Sequence, residues 1–280
     1  MRGQTIVMTG ATSGIGEVAA ERLAGMGARI VFIARDRTRA SVTLARLKAA
    51  GSSVAHSVHY ADLSRLSEMK RVAAEIVQEE PRIDVLVNNA GAIFSDRHVT
   101  EDGLERTFAL NHMAYFIITL ALRERLLASA PARIINTASG IHQSHMLDLD
   151  DLQLERGYSA LKAYGRSKLC NILFTRELAR RMKGTGVTAN CFHPGFVATR
   201  FADEAGGIIG RFVGLAKLFA IKPHEGAETL VYLASSPKVA NITGEYFYKC
   251  RIARPSPAAQ DCRIAALLWE KSAKIAHLDA

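Results

Sequence analysis

The chain has little that would cross-link, export or anchor it. Its four cysteines, Cys170, Cys191, Cys250 and Cys262, form no CxxC pair and lack histidines at ligand spacing. Neither a zinc site nor a disulfide framework is indicated, and reduced thiols are expected. No run approaches the roughly 20 apolar residues that a membrane-spanning helix needs; Ala114–Leu122 is only a short, core-like stretch. Met1 to Thr9 lacks a charged n-region, a long apolar h-region and a small-residue cleavage site, so a soluble protein in the cytoplasm is the expectation. An internal repeat, a low-complexity tract and a Ser/Gly-rich linker are also missing, which favours one domain over residues 1–280. Balance of charge is missing too: the formal net charge is +9. The basic residues are dispersed, however, and Arg180, Arg181 and Lys183 end a predicted helix, where positive charge suits the helix dipole. No basic stripe interleaves with aromatics, which speaks against a nucleic-acid partner.

What is present is alternation. Short apolar or β-branched runs recur at Thr5–Thr9, Ile30–Ala34, Val54–Val58, Val85–Val87, Arg133–Thr137 and Val187–Phe192. Helically spaced stretches lie between most of them: Gly16–Met26, Arg37–Ala50, Leu66–Glu79, Leu104–Leu122 and Leu161–Met182. The pattern predicts an α/β fold, a doubly wound parallel Rossmann-like sheet with helices on both faces. Ligands of such sheets sit beyond the carboxyl ends of the strands. Two stretches depart from it, Gln143–Gly157 and the Gly-rich, apolar Phe201–Ile221. The tail, residues 246–280, is a loop broken by proline at Arg254–Pro257 and then a helix bearing Leu267, Leu268 and Trp269.

The opening strand runs into TGATSGIG, which places Gly10, Gly14 and Gly16 on the turn into the next helix. Glycines there let the backbone approach a pyrophosphate, which free N–H groups of the helix N-terminus then hold. After the second strand the chain reads Ala34-Arg35-Asp36. Ala34 cannot hydrogen-bond ribose hydroxyls as an acid would, whereas the planar Arg35 guanidinium suits a 2′-phosphate, so NADP(H) is preferred to NAD(H). Asp36 keeps NAD(H) open, and Arg37 could assist Arg35. Tyr164 and Lys168 lie one turn apart on one helix face, so an ammonium stands near a phenol and should lower its pKa toward a working general acid/base. Ser139 follows a strand at the ligand end, where its hydroxyl can stabilise charge on a substrate oxygen. Asn111 stands among apolar neighbours, where an unpaired amide would be costly.

These residues stand in an order that resembles the short-chain dehydrogenase/reductase family: Thr9 and the GxxxGxG turn, Asp62-Leu63, Asn88–Gly91, Asn111, Ser139, Tyr164–Lys168 and His193–Gly195. The long gap between Ser139 and Tyr164, filled by Gln143–Gly157, resembles the retinol dehydrogenase-like branch. The resemblance implies an NADP-dependent alcohol dehydrogenase or carbonyl reductase, with Asn111, Ser139, Tyr164 and Lys168 as the catalytic set. It assigns cofactor contacts to Gly10, Thr12, Ser13, Gly14, Ile15 and Gly16, to Arg35, and to Asp62 and Leu63 at the adenine. Asn89, Ala90 and Gly91 would line the ribose, with Tyr164 and Lys168 nearby, and Pro194, Gly195, Val197 and Thr199 would fix the nicotinamide amide. Asn111 would hold a water joining Lys168 to solvent, and Asn88 would tie adjacent strands. His193, His142, His145 and His112 are read as structural.

The resemblance makes Phe201–Ile221 a substrate lid, around residues 200–222, whose apolar character suggests a lipophilic alcohol, aldehyde or ketone of the retinoid, steroid or lipid type. A helix pair packed on the core, on a membrane surface or on a second subunit is the alternative. The helices carrying Asn111 and Tyr164 form dimer or tetramer interfaces in many relatives, and the tail could cover them here. A cofactor-binding sensor or scaffold would have no reason to keep all four catalytic types. A sugar-nucleotide epimerase would carry TGxxGxxG and a larger C-terminal region. No metal is expected.

Overall fold

The computed structural model describes residues 1–51, 54–195 and 222–278. Among the described residues, eight strands form one sheet in the order β3-β2-β1-β4-β5-β6-β7-β8. They are β1 Thr5–Thr9, β2 Arg29–Ala34, β3 Ser57–Tyr60, β4 Val85–Asn88, β5 Ala132–Thr137, β6 Val187–His193, β7 Tyr246–Tyr248 and β8 Arg251–Ile252. All neighbours are parallel except β7 and β8. The winding reverses at β1, which pairs with β2 on one edge and β4 on the other, and this opens a crevice beyond the carboxyl ends of β1 and β4.

The strands are apolar almost throughout because both faces are covered. Alternate side chains of β1 enter different cores. Val7 joins Val31, Leu86, Ile134 and Ala189 on one face, while Ile6 and Met8 join Phe32, Val87 and Ile135 on the other. The second face is capped by α1 (Gly14–Gly25) and α8 (Pro223–Ser235), through Ala20, Leu23, Leu230 and Leu233, with α2 (Arg37–Ala50) alongside α1. The first face takes α3 (Leu66–Glu79), whose Leu66, Met69, Val72, Ala73 and Ile76 form a buried stripe at helical spacing. Beside it lie α4 (Arg106–Phe108), α5 (Ala114–Ala121), α6 (Arg123–Ala128), α7 (Ala160–Arg181) and the C-terminal α9 (Cys262–Ala276).

Three differences from the sequence reading have local causes. The third strand begins at Ser57 rather than Val54, because the Ile30 N–H donates to His56 Nδ1 (3.1 Å) instead of to a backbone carbonyl. The stretch from Leu104 starts its helix at Arg106, since the buried Glu105 carboxylate accepts from Thr107 N and Phe108 N as a cap. It then passes through a π turn at Ala109–Met113, which contains Asn111, before α5. The tail adds β7 and β8, joined by Lys249 and Cys250 at φ 48° and 59°, a tight hairpin built without glycine.

The tail's helix does cover α7. Trp269 is 4% exposed, stacks on Phe174 (5.7 Å) and meets Phe116 edge-on (5.0 Å), with the Arg181 guanidinium 4.3 Å from its ring. Ser272 Oγ lies 2.8 Å from Nε2 of the fully buried His112 in the π turn. Among the described residues no helix is long and apolar enough to cross a membrane. Trp269→Ala is expected to cost about 3–5 kcal/mol of stability, read as a lowered urea midpoint by circular dichroism.

Candidate active site

The turn after β1 is built for close approach. Gly10 and Gly14 adopt φ of 68° and 59°, which L side chains avoid. A Cβ on Gly16 would lie 2.0 Å from the Gly10 carbonyl oxygen, and one on Gly10 would lie 2.8 Å from the Ala90 backbone. Thr9 Oγ1 accepts from both Asn89 N (2.9 Å) and Ala90 N (3.0 Å). The Asn89 amide donates to Gly10 O (3.0 Å) and accepts from Thr137 Oγ1 (3.0 Å). The amide of Asn89 is thus committed to joining three strand ends, and the Ala90 and Gly91 backbone forms the wall beside them. Ser13 caps α1 without a side-chain bond, and Thr12 and Ile15 complete the turn. N–H groups of an uncapped helix start, beside glycines that keep side chains out of the way, fit a pyrophosphate.

Arg35 is exposed just past β2, and its charge acts on the Asp62 carboxyl. Burial pushes that carboxyl up, but bonds from Ser64 N (3.0 Å) and Ser64 Oγ (2.8 Å), with Arg35 and Arg106, bring it below the usual range. Leu63 beside it is buried. Asp36, which kept NAD(H) open, accepts from Arg39 N (3.0 Å) and caps α2. Arg37 lies 4.2 Å over the Tyr60 ring.

The four catalytic candidates converge. On α7, Lys168 is 2% exposed and donates from Nζ to Thr137 O (3.0 Å), the last carbonyl of β5. Asn171, just along the helix, donates to the same oxygen (3.1 Å). The Lys168 ammonium nitrogen lies 5.6 Å from the Tyr164 ring centroid and 5.5 Å from that of the buried Tyr115. The Ser139 side chain acts on the Tyr164 phenol and favours its ionised form, and Ser139 caps the turn after β5. Asn111 accepts from Ala92 N (2.9 Å) and donates to Ala92 O (2.9 Å) and Ser167 Oγ (3.0 Å). A Cβ on Gly91 would lie 3.0 Å from Asn111 Oδ1 and 3.4 Å from Lys168 Nζ, so both side chains close over that glycine.

The acidity of the pair runs opposite to the expectation from spacing. Burial pushes the Tyr164 phenol up, the nearby Ser139 side chain opposing it, and burial also pulls Lys168 down to about 7. Desolvation works against both charged forms, and the chain's own groups hold the proton on the phenol.

Sequence reasoning passed over a polar chain behind the site. Asn88, 0% exposed, donates to Thr119 Oγ1 (2.9 Å) and Asn136 Oδ1 (2.9 Å), confirming the strand tie, and Asn136 donates to Thr175 Oγ1 (2.9 Å) on α7. The signal was an asparagine inside an apolar run of β5. The histidines around Ser139, read as structural, have specific partners. His142 donates from Nδ1 to Ser139 O (2.6 Å) and accepts at Nε2 from Ser256 N (3.1 Å). The His145 ring fills the space over Gly165, where a Cβ would meet Nδ1 at 2.4 Å. Pro194 and Gly195 follow β6 at the ligand end, whereas Val197, Thr199 and the apolar Phe201–Ile221 lie outside the described residues. Among the described residues no cluster could hold a metal ion.

Residues 4–206 match the short chain dehydrogenase family, and the chain belongs to it, as an oxidoreductase of retinol dehydrogenase-like type. It is 38% identical to retinol dehydrogenase 14 of Homo sapiens over 97% of this chain and 86% of that protein. Among solved structures it is similar to an uncharacterised protein from Mycobacterium paratuberculosis (TM-score 0.79, 29% identity, 99% of this chain and 94% of that one). It is also similar to the Pseudomonas aeruginosa RhlG/NADP active-site complex (TM-score 0.71, 29% identity, 88% and 94%).

Burial lowers His112 to about 3. The unfolded side chain takes its proton near pH 6.5, so between about 6.5 and 3 the unfolded chain binds more protons. Stability from a neutral His112 is therefore complete above about pH 6.5 and is lost as pH falls to about 3. The destabilisation caused by His112→Gln is expected to shrink over that interval, measured by urea unfolding at stepped pH.

Proposed function

We propose that the chain transfers a hydride between NADP(H) and a lipophilic alcohol/carbonyl pair, with Tyr164 as the acid/base. The observation that carries this reading is the meeting of Tyr164, Lys168, Ser139 and Asn111 beside the glycine turn. Bound nicotinamide supplies or takes the hydride at the substrate carbon. The remaining steps belong to the chain. Tyr164 holds a proton at its phenol oxygen and gives it to the substrate oxygen in reduction, or takes it back in oxidation. Ser139 donates a hydrogen bond to the same oxygen. Lys168, pinned by Thr137 O, stands where a phenolate would form and stabilises it. Asn111 keeps the Ala92 loop and α7 at fixed separation.

Gly10, Gly14 and Gly16 would hold the pyrophosphate with the N–H groups of the first helical turn. Asp62 and Leu63 would take the adenine, Ala90 and Gly91 the ribose side, and Pro194 and Gly195 the nicotinamide amide. Arg35 supports NADP(H), and the use of Asp36 Oδ1 as the cap of α2 is in keeping with it. A lipophilic substrate is supported by the likeness to retinol dehydrogenase 14 and by the apolar composition of Phe201–Ile221.

Tyr164→Phe is expected to lower kcat about a hundred- to ten-thousand-fold on an aldehyde and ketone panel while NADPH still binds by fluorescence titration. Unchanged turnover would remove Tyr164 from the mechanism. Arg35→Ala gives up a charge-assisted bond of about 1.5–3 kcal/mol, so NADPH affinity should drop about ten- to a hundredfold. NADH affinity should stay level; an equal loss for both cofactors would sink the assignment of Arg35 to the 2′-phosphate.

A further inference from the structure

The ladder between β5 and β6 ends with Ala138 N donating to Phe192 O (2.8 Å). Beyond that bond the two strand ends diverge, one into the Ser139 turn and the other into Pro194 and Gly195. One side chain bridges them. The Nδ1 atom of His193, the last residue of β6, accepts from Gly140 N (3.0 Å) and from Gly195 N (3.3 Å). A ring nitrogen that receives two N–H donors must be bare, which puts the ring proton on Nε2.

Packing holds the ring in that pose. It stacks on Tyr248 across the β6–β7 pair, at 5.0 Å and an interplanar angle of 19°. Its other side lies close against Gly140, where a Cβ would stand 3.0 Å from Nε2 and 3.3 Å from Cε1, a tight contact that glycine avoids. The Ser139 backbone is thereby gripped from two directions: His142 bonds the Ser139 carbonyl, and His193 bonds the amide that follows it. Burial, with the neighbouring His142 adding to it, brings His193 down to about 4, in keeping with a neutral ring.

We propose that His193 is a positioning residue that clasps the Ser139 turn to the Gly195 stretch, using Nδ1 as a shared acceptor. The reading rests on the oxidoreductase function proposed above. Ser139 Oγ then stands at a set distance from Tyr164 and from the segment that faces the nicotinamide. Loss of the clasp would leave both loops attached to the sheet but free to shift against each other. Displacements of about 1 Å at reacting groups cost on the order of a hundredfold in rate.

Two substitutions separate the acceptor from the packing. His193→Asn keeps an acceptor oxygen near the Nδ1 position and gives up the stack on Tyr248. His193→Phe keeps a ring and gives up the acceptor. Relative to wild type, Asn is expected to hold kcat within about threefold and Phe to lose about a hundredfold, with both variants melting cooperatively. A Phe variant that turns over like wild type, or an Asn variant as damaged as Phe, overturns the clasp.

Nitrogen-15 histidine NMR of the wild-type chain decides the matter without any turnover. The proton of His193 should sit on Nε2, and the Gly140 and Gly195 amides should both show coupling to Nδ1. A proton on Nδ1 overturns the proposal even if neither variant folds. If the wild type reduces no carbonyl but shows this tautomer and both couplings, the proposed function fails and the clasp stands.

Discussion

The carbonyl oxygen of Thr137 fixes how α7, the 22-residue helix that carries Tyr164 and Lys168, sits against the sheet. It is the last acceptor of β5, and it receives both the Lys168 ammonium and the Asn171 amide from α7. Two bonds from one helix face to one atom determine the rotation and the axial position of α7 together. Tyr164, one turn before Lys168, has its place set by that registration. The arrangement also makes a buried lysine tolerable. An ammonium removed from water is costly unless its donors are used, and Thr137 O uses one at the strand end, where no ladder bond competes for it.

A second line of polar contacts keeps the strands beneath at constant spacing. Asn88, Asn136 and Thr175 link β4, β5 and α7 through bonds of 2.9 Å, and Thr119 brings in α5. Such a chain inside an apolar core is worth keeping only when its members are nearly all satisfied. It ends beside the carbonyl that pins Lys168, so the core's polar order and the site's geometry are one structure. The consequence for chemistry is a phenol that keeps its proton and a lysine poised near 7, both set by desolvation more than by mutual attraction.

Much of this was readable from residue order. The apolar runs located β1, β2, β4, β5 and β6 to within about a residue or two, because strands buried on both faces need little from their neighbours to look like strands. The glycine turn and the Tyr164–Lys168 pair were also readable, since each is a local spacing with a direct geometric meaning. The features that escaped depend on distant partners. The start of β3 turns on His56 reaching Ile30, and the start of α4 turns on a buried Glu105. The hairpin at Lys249 and Cys250 lacks the glycine that announces such turns. The tasks of His142 and His193 are set by amides 114 and 53 residues away in sequence. The acidity of Tyr164 escaped because spacing counts charges and does not see desolvation.

The strand order has a consequence for how the molecule is made. β1 is an interior strand, yet the partner for its second edge is β4, which is synthesised only after α1, β2, α2, β3 and α3. Until then the growing chain carries an apolar strand with an open row of backbone donors and acceptors, an arrangement prone to pair with another chain. Closing that edge also completes the crevice, since Asn89 and Ala90 arrive with β4 and bond to Thr9 and Gly10. One pairing event therefore both covers the second edge of β1 and joins the glycine turn to the Asn89–Ala90 wall.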